Sequence, residues 1–177
     1  MKGRVIHVAL LMTVLVKGRV TLTYLSFLLP CHTKKIMIER IKKIYYSMIY
    51  GVGIDIVKIE RMKQVVEKWG QHFLDRVFTK NEISYCYEKK EPHLSLAVRF
   101  AAKEAMIKAL GSVSALSLKE IEVVNSESGK PLFRVVETLE KVLKEKLIQR
   151  VHLSLSHEHE YGVACVVLEQ SDGGREK

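Results

Sequence analysis

The sequence predicts an α+β domain, and three observations carry that prediction. Segments with the two-residue alternation of strands are mixed along the chain with segments of helical period. Four of the strands fall into two adjacent pairs joined by turn residues. One long run, Leu94 to Leu110, has helical periodicity and ends on Gly111, where a glycine cap belongs. The expected architecture is a single domain over residues 48–169, a small antiparallel sheet with packed helices. An N-terminal extension (1–47) precedes it and a short polar tail (170–177), read as frayed, follows.

The first strand runs from Ile49 to Val57. A helix follows whose apolar face is Ile59, Met62, Val65, Val66 and Trp69, and which stops at Gly70. A second short helix is expected around Phe73 to Val77. Thr79 and Glu82 have the spacing of a capping box and so begin a third. The long helix comes next. Lys119 to Val124 and Leu132 to Val135 read as strands on either side of Asn125-Ser126-Glu127-Ser128-Gly129-Lys130-Pro131, a hairpin turn by composition. Thr138 to Leu147 is a helix, and Val151–Ser156 with Tyr161–Leu168 form a closing antiparallel pair.

In the first strand, alternation puts Gly51, Gly53 and Asp55 on one face and Tyr50, Val52, Ile54 and Ile56 on the other. The apolar face is expected to be core and the glycine face nearly bare. Glycine inside a strand marks a close approach, by a ligand or by another backbone. On the long helix, at roughly 100° per residue, Ala97, Ala101, Glu104 and Lys108 share one stripe. Glu104 and Lys108 are one turn apart, and the alanines leave room above the carboxylate. Lys103, off that stripe, reads as solvated.

Hard divalent cations are held by one or two protein carboxylates plus waters and substrate phosphates. Two carboxylates and a lysine therefore suit a pyrophosphate-bound magnesium ion, with Mn²⁺ accepting a similar set. An ordinary Glu-to-Lys pair on a solvated face accounts for Glu104 and Lys108 equally well from spacing alone.

Three separated segments, in order, resemble the signature motifs of the holo-acyl-carrier-protein synthase family. They are Met48-Ile49-Tyr50-Gly51-Val52-Gly53-Ile54-Asp55-Ile56-Val57, Arg99-Phe100-Ala101-Ala102-Lys103-Glu104-Ala105 and Ser154-Leu155-Ser156-His157. The resemblance runs from Met48 to about Glu169. It implies a short, bacterial-type 4′-phosphopantetheinyl transferase, which moves phosphopantetheine from coenzyme A to a serine of apo acyl carrier protein and releases adenosine 3′,5′-bisphosphate.

By that resemblance Asp55 and Glu104 bind Mg²⁺, and Glu104 and Lys108 are catalytic. Lys108 would stabilise charge on the departing phosphate, while Glu104 or a metal-bound water would take the serine proton. The coenzyme would meet Arg99, Lys108, Gly129, Lys130 and His157. His157 alone, at the end of an apolar strand face, reads first as a hydrogen-bonded core or turn residue; the resemblance moves it towards the coenzyme pocket. His159 adds a His-x-His pair, yet no third ligand with zinc spacing follows. The resemblance also implies a homotrimer with active sites between subunits, a cytoplasmic location, and carrier docking on the first helix through Arg61 and Met62. The carrier is typically acidic, and Lys58, Arg61 and Lys68 lie away from most of that helix's apolar face.

The first 47 residues hold nine Lys or Arg against one Glu, a net +8, leaving only +1 of the total +9 for the other 130. The basic balance thus belongs to the extension and is poor evidence for nucleic-acid binding. Val5 to Val16 is an apolar run of twelve behind Lys2 and Arg4. It is shorter than the roughly 20 residues a bilayer span needs. A signal core, a membrane-associating segment, with a basic helix over Ile36–Tyr46, and translated upstream sequence before a start at Met48 compete; the last is favoured and membrane association is not. Cys31, Cys86 and Cys165 have no paired spacing. Two other functional classes compete: a non-catalytic carrier-binding relative, which would have lost Asp55, Glu104 or Lys108, and a membrane-associated protein acting through residues 1–47.

Overall fold

The computed structural model describes residues 14–16, 19–21, 47–111 and 116–171, and the chain divides into two units, Met1–Tyr45 and Tyr46–Lys177. In the first unit, β1 (Val14–Val16) and β2 (Arg19–Thr21) pair antiparallel, with Leu15 opposite Val20. The other expectations for residues 1–46, including the basic helix over Ile36–Tyr46, lie outside the described residues. No helix among the described residues is long and apolar enough to cross a membrane.

The second unit is α+β, with four helices and small antiparallel sheets. Strand β3 (Ser47–Lys58) leads into α1 (Ile59–Val77), which is interrupted at Gly70, where φ of +53° is a conformation open to glycine. Helical geometry breaks at Gly70, as expected, and a second helical stretch continues from it to Val77. Helix α2 (Lys80–Tyr87) starts on the expected capping box: Glu82 N–H donates to Thr79 Oγ1 at 3.2 Å and Thr79 N–H donates to the Glu82 carboxylate at 2.9 Å. Helix α3 (Pro92–Leu110) begins at a proline and ends at Gly111.

After α3 the chain forms β4 (Glu122–Asn125), β5 (Pro131–Arg134), α4 (Glu137–Glu145), β6 (Ile148–Glu158) and β7 (Tyr161–Ser171). The strand expected from Lys119 starts three residues later, because Leu118–Glu120 is a 3₁₀ turn. Ser117 N–H and Oγ both donate to the Glu120 carboxylate, at 2.8 and 2.9 Å, and this local bonding competes with extension. Gln170 and Ser171 belong to β7, opposite Met48 and Ser47, so the polar tail starts later than expected.

The main sheet is antiparallel in the order β3-β7-β6, and β4 pairs with β5. The expected faces of β3 are inverted. Val52, Ile54 and Ile56 are 51%, 58% and 61% exposed, while the glycine face turns inward against α3. A register shift between Ile49 and Gly51 turns Tyr50 inward as well, where its hydroxyl donates to Leu110 O at 3.4 Å.

Helix α3 is the centre of the core. Leu96, Ala97, Ala101, Ala102, Ala105 and Met106 are fully buried, so the space beside Ala97 and Ala101 is filled by the protein itself. Lys103, read from sequence as solvated, is also fully buried. Its ammonium uses all three donors, to Glu82 Oε2 at 2.8 Å, Leu118 O at 2.9 Å and Ile121 O at 2.6 Å. Burial pushes its pKa below the ordinary lysine value, and the Glu82 charge opposes that shift. Glu82 accepts in turn from Val123 N–H at 3.0 Å, so one buried pair ties α3 to α2, the 3₁₀ turn and β4.

Candidate active site

Gly51 and Gly53 decide where the site forms. A β-carbon on Gly53 would stand 1.9 Å from Ala105 O, and one on Gly51 would stand 2.1 Å from Ala109 O. No larger residue fits at either position, so the close approach left open by the sequence is made by the backbone of α3. The next inward position on β3 is Asp55, beside the turn of α3 that carries Glu104 and Lys108.

The three charged groups meet there. Lys108 Nζ donates to Asp55 Oδ1 at 2.7 Å and to Ile54 O at 3.0 Å, bridging helix and strand. The Asp55 side chain is 16% exposed and that of Lys108 is 51% exposed. The Glu104 carboxyl is held above its ordinary pKa, first by burial and then by the Asp55 charge, with Lys108 opposing. Two like charges at a partly buried site are thus incompletely offset by one ammonium. A divalent cation would relieve that repulsion, and this oxygen donor set fits Mg²⁺ with waters and phosphate oxygens completing its shell. Among the described residues no three His, Cys, Asp or Glu gather as a richer metal cluster.

His157 is exposed, near the end of β6. The register aligns Asp55 with Ala164 and Leu155, and Val57 with Gly162 and His157. His157 therefore shares the α3 side of the sheet with Asp55, one row further on and two strands away, roughly 10 Å laterally. Gly129 and Lys130 form the β4–β5 turn, with Gly129 at φ +82°.

Arg99 is not brought to the trio. It is 4% exposed, with its guanidinium 4.0 Å from the Tyr85 ring centre and donating to Asn125 Oδ1 at 2.8 Å and Ser95 Oγ at 3.3 Å. Of the two docking residues, Arg61 is exposed on α1 but Met62 is 3% exposed in the core and cannot meet a partner. The exposed apolar residue of that helix is Trp69, 57% exposed, with Lys68 Nζ 5.1 Å from its ring centre. The apolar period, which assigned Trp69 to the core face, offered no signal that would separate it from Met62.

A strand and a helix in backbone contact, presenting two carboxylates and a lysine on one side, place this protein among those whose donor set suits a cation and a phosphate group. Comparisons identify which. The family model described as the 4′-phosphopantetheinyl transferase superfamily matches residues 51–166. The holo-[acyl-carrier-protein] synthase of Halothermothrix orenii is 45% identical over 124 residues, covering 70% of this chain and 99% of the relative. The crystal structure of the Neisseria meningitidis holo-[acyl-carrier-protein] synthase is 41% identical with a TM-score of 0.65, over 70% of this chain and all of that one. The Bacillus anthracis synthase, solved in complex with CoA (3′,5′-ADP), is 38% identical with a TM-score of 0.58, over 70% of this chain and 99% of that one. The chain belongs to the 4′-phosphopantetheinyl transferase superfamily and, within it, to the holo-acyl-carrier-protein synthases. It is accordingly an enzyme, a phosphopantetheinyl transferase.

Proposed function

We propose that the enzyme transfers 4′-phosphopantetheine from coenzyme A to a serine of apo acyl carrier protein, in a Mg²⁺-dependent reaction that serves fatty acid biosynthesis in the cytoplasm. The observation that carries this reading is the meeting of Asp55, Glu104 and Lys108 where α3 touches β3. Coenzyme A as the donor is supported by the complex of the Bacillus anthracis relative.

In the transfer, the carrier serine oxygen bonds to the phosphorus bearing the pantetheine arm as the bond from that phosphorus to the bridging oxygen breaks. Adenosine 3′,5′-bisphosphate leaves with the bond's electrons. Asp55 and Glu104 would hold Mg²⁺, which neutralises charge on the pyrophosphate oxygens. Lys108 is long and exposed enough to turn from Asp55 to the departing phosphate. Glu104, or a water on the metal, would take the serine proton. Lys130, Gly129 and His157 would contact the coenzyme. Arg99, committed to Asn125 and Tyr85, would serve it through the turn it braces. Chromatography of the nucleotide product tests the reaction: adenosine 3′,5′-bisphosphate should appear only with both Mg²⁺ and apo carrier, and release without carrier would mean hydrolysis instead.

Carrier docking is assigned to Arg61, with Trp69 taking the apolar role first given to Met62. Trp69→Ala should raise the KM for carrier about tenfold, the size of a buried aromatic contact, with no loss of thermal stability. Met62→Ala should instead destabilise the fold by about 2–5 kcal/mol. Equal effects of the two on unfolding and KM would remove this assignment.

A homotrimer is supported by the outward face of the sheet, where Val52, Ile54 and Ile56 lie beside the half-buried Val163, Cys165 and Val167. Such a contiguous apolar patch marks an interaction surface. Ile54→Lys, exposed in the single chain, should leave a folded monomer by light scattering and lower activity with assembly. A trimer that persists in this variant would place the interface elsewhere. The catalytic domain is assigned to residues 48–169, with no part in transfer for residues 1–47.

A further inference from the structure

The turn that carries Gly129 and Lys130 is tied to helix α3 by a relay whose middle member, Asn125, has no role in the reading above. Arg99 Nη2 donates to Asn125 Oδ1 at 2.8 Å, and Asn125 Nδ2 donates to Gly129 O at 3.0 Å. A guanidinium has donors and no acceptors, so its bond fixes which end of the Asn125 amide faces Arg99. The amide nitrogen is thereby committed to the turn.

The rest of the turn depends on short local bonds: Ser126 N–H to Lys130 O at 2.9 Å, Gly129 N–H to Ser126 O at 2.9 Å, and Lys130 N–H to Ser126 Oγ at 3.1 Å. Asn125 sits opposite Pro131, which has no N–H to offer the ladder, so the side-chain bond to Gly129 O compensates at the mouth of the hairpin. A four-residue strand pair with a proline at its end would otherwise hold this turn weakly.

Arg99 is an expensive anchor. It is 4% exposed, its Nε has no hydrogen-bond partner among the described residues, and its other guanidinium nitrogens donate to neutral oxygens beside the Tyr85 ring. A buried charge held this way is poor value for stability alone, since apolar side chains commonly replace such groups at no loss. What it does achieve is position, because it projects from the same helix as Glu104 and Lys108, five residues before Glu104.

We propose that Asn125 is a positioning residue, orienting the Gly129–Lys130 turn relative to the Asp55, Glu104 and Lys108 centre by relaying the rigid placement of Arg99. The ligand so aligned is the nucleotide end of the coenzyme, and the inference rests on the reading that this turn contacts it. No covalent step passes through Asn125 or Arg99.

The test is calorimetric binding of coenzyme A and of adenosine 3′,5′-bisphosphate to wild type, Asn125→Asp and Lys130→Ala, with thermal unfolding and steady-state kinetics. Asn125→Asp keeps the acceptor for Arg99 and removes the donor to Gly129 O. Its unfolding temperature should hold or rise, while affinity for both ligands falls about five- to tenfold, the size of one lost hydrogen bond. KM for coenzyme A should rise in step with the lost affinity while kcat stays within about twofold of wild type, because the loss is one of binding. Weaker binding in Lys130→Ala with none in Asn125→Asp would overturn the relay while keeping the turn as a contact. Unchanged binding in Lys130→Ala would remove the turn from the coenzyme site and the relay with it. A clear drop in the unfolding temperature of Asn125→Asp alongside its loss of affinity would make Asn125 merely structural.

Discussion

Glu104→Gln is expected to lower the transfer rate by roughly a thousandfold or more, on the order of 4 kcal/mol of transition-state stabilisation. It is also expected to make the free protein more stable at neutral pH. Glutamine keeps the shape of the side chain and removes a charge whose ionisation is opposed by burial and by Asp55. The folded state holds the Glu104 proton more tightly than the unfolded state does. Below the ordinary carboxylate pKa of 4.5 both states are protonated and the residue costs nothing. As pH rises from there through the raised folded pKa, the folded state bears a growing penalty, which remains in full above it. The unfolding temperature of Glu104→Gln should therefore exceed that of wild type at pH 7, and the gap should close towards pH 4. Mg²⁺ should stabilise wild type and leave the variant nearly unmoved, reversing their order. A variant less stable than wild type at pH 7 without metal would show that the carboxylate is held by favourable contacts and not in mutual repulsion.

Lys103→Ala is expected to be the most damaging single change to the fold. It leaves the Glu82 carboxylate, 1% exposed, without its counter-charge and strips a donor from Leu118 O and Ile121 O. Breaking such a pair from one side costs about 3–5 kcal/mol. The double variant Lys103→Met with Glu82→Gln should recover part of this, because it removes both charges together. Chemical denaturation of the single and double variants measures the coupling. A loss within about 0.5 kcal/mol would fit a solvated lysine and contradict the buried placement.

The meeting of Asp55, Glu104 and Lys108 was legible because two simple periodicities, two in the strand and 3.6 in the helix, each isolate one carboxylate, and because the motifs add order. The faces of β3 were not legible from the same alternation. Apolar Val52, Ile54 and Ile56 suggest core, yet the small Gly51 and Gly53 are what α3 needs to reach the strand, and steric fit outranks hydropathy there. The capping box at Thr79 was readable because its bonds are local. Lys103 was misread although a signal existed: Leu96, Ala97, Ala101, Ala102, Ala105 and Met106 leave α3 apolar around most of its circumference, and Lys103 falls within that arc, between Leu96 and Met106. Met62 and Trp69 differ by only about 20° around α1, so helical angle could not separate them. What separates them is tertiary packing, which buries Met62 and leaves Trp69 exposed. Arg99 illustrates the same limit, since sequence spacing could not reveal Tyr85 and Asn125 as its partners.

Asp55, Glu104 and Lys108 are the proposed transfer centre of this enzyme. The most direct measurement is the intact mass of apo acyl carrier protein after incubation with coenzyme A and the chain starting at Met48, with and without Mg²⁺, and with Glu104→Gln as control. The expected result is a carrier heavier by one phosphopantetheine, only with metal and only with the unaltered centre. A carrier modified equally by Glu104→Gln, or left unmodified by well-folded wild type, would overturn that assignment.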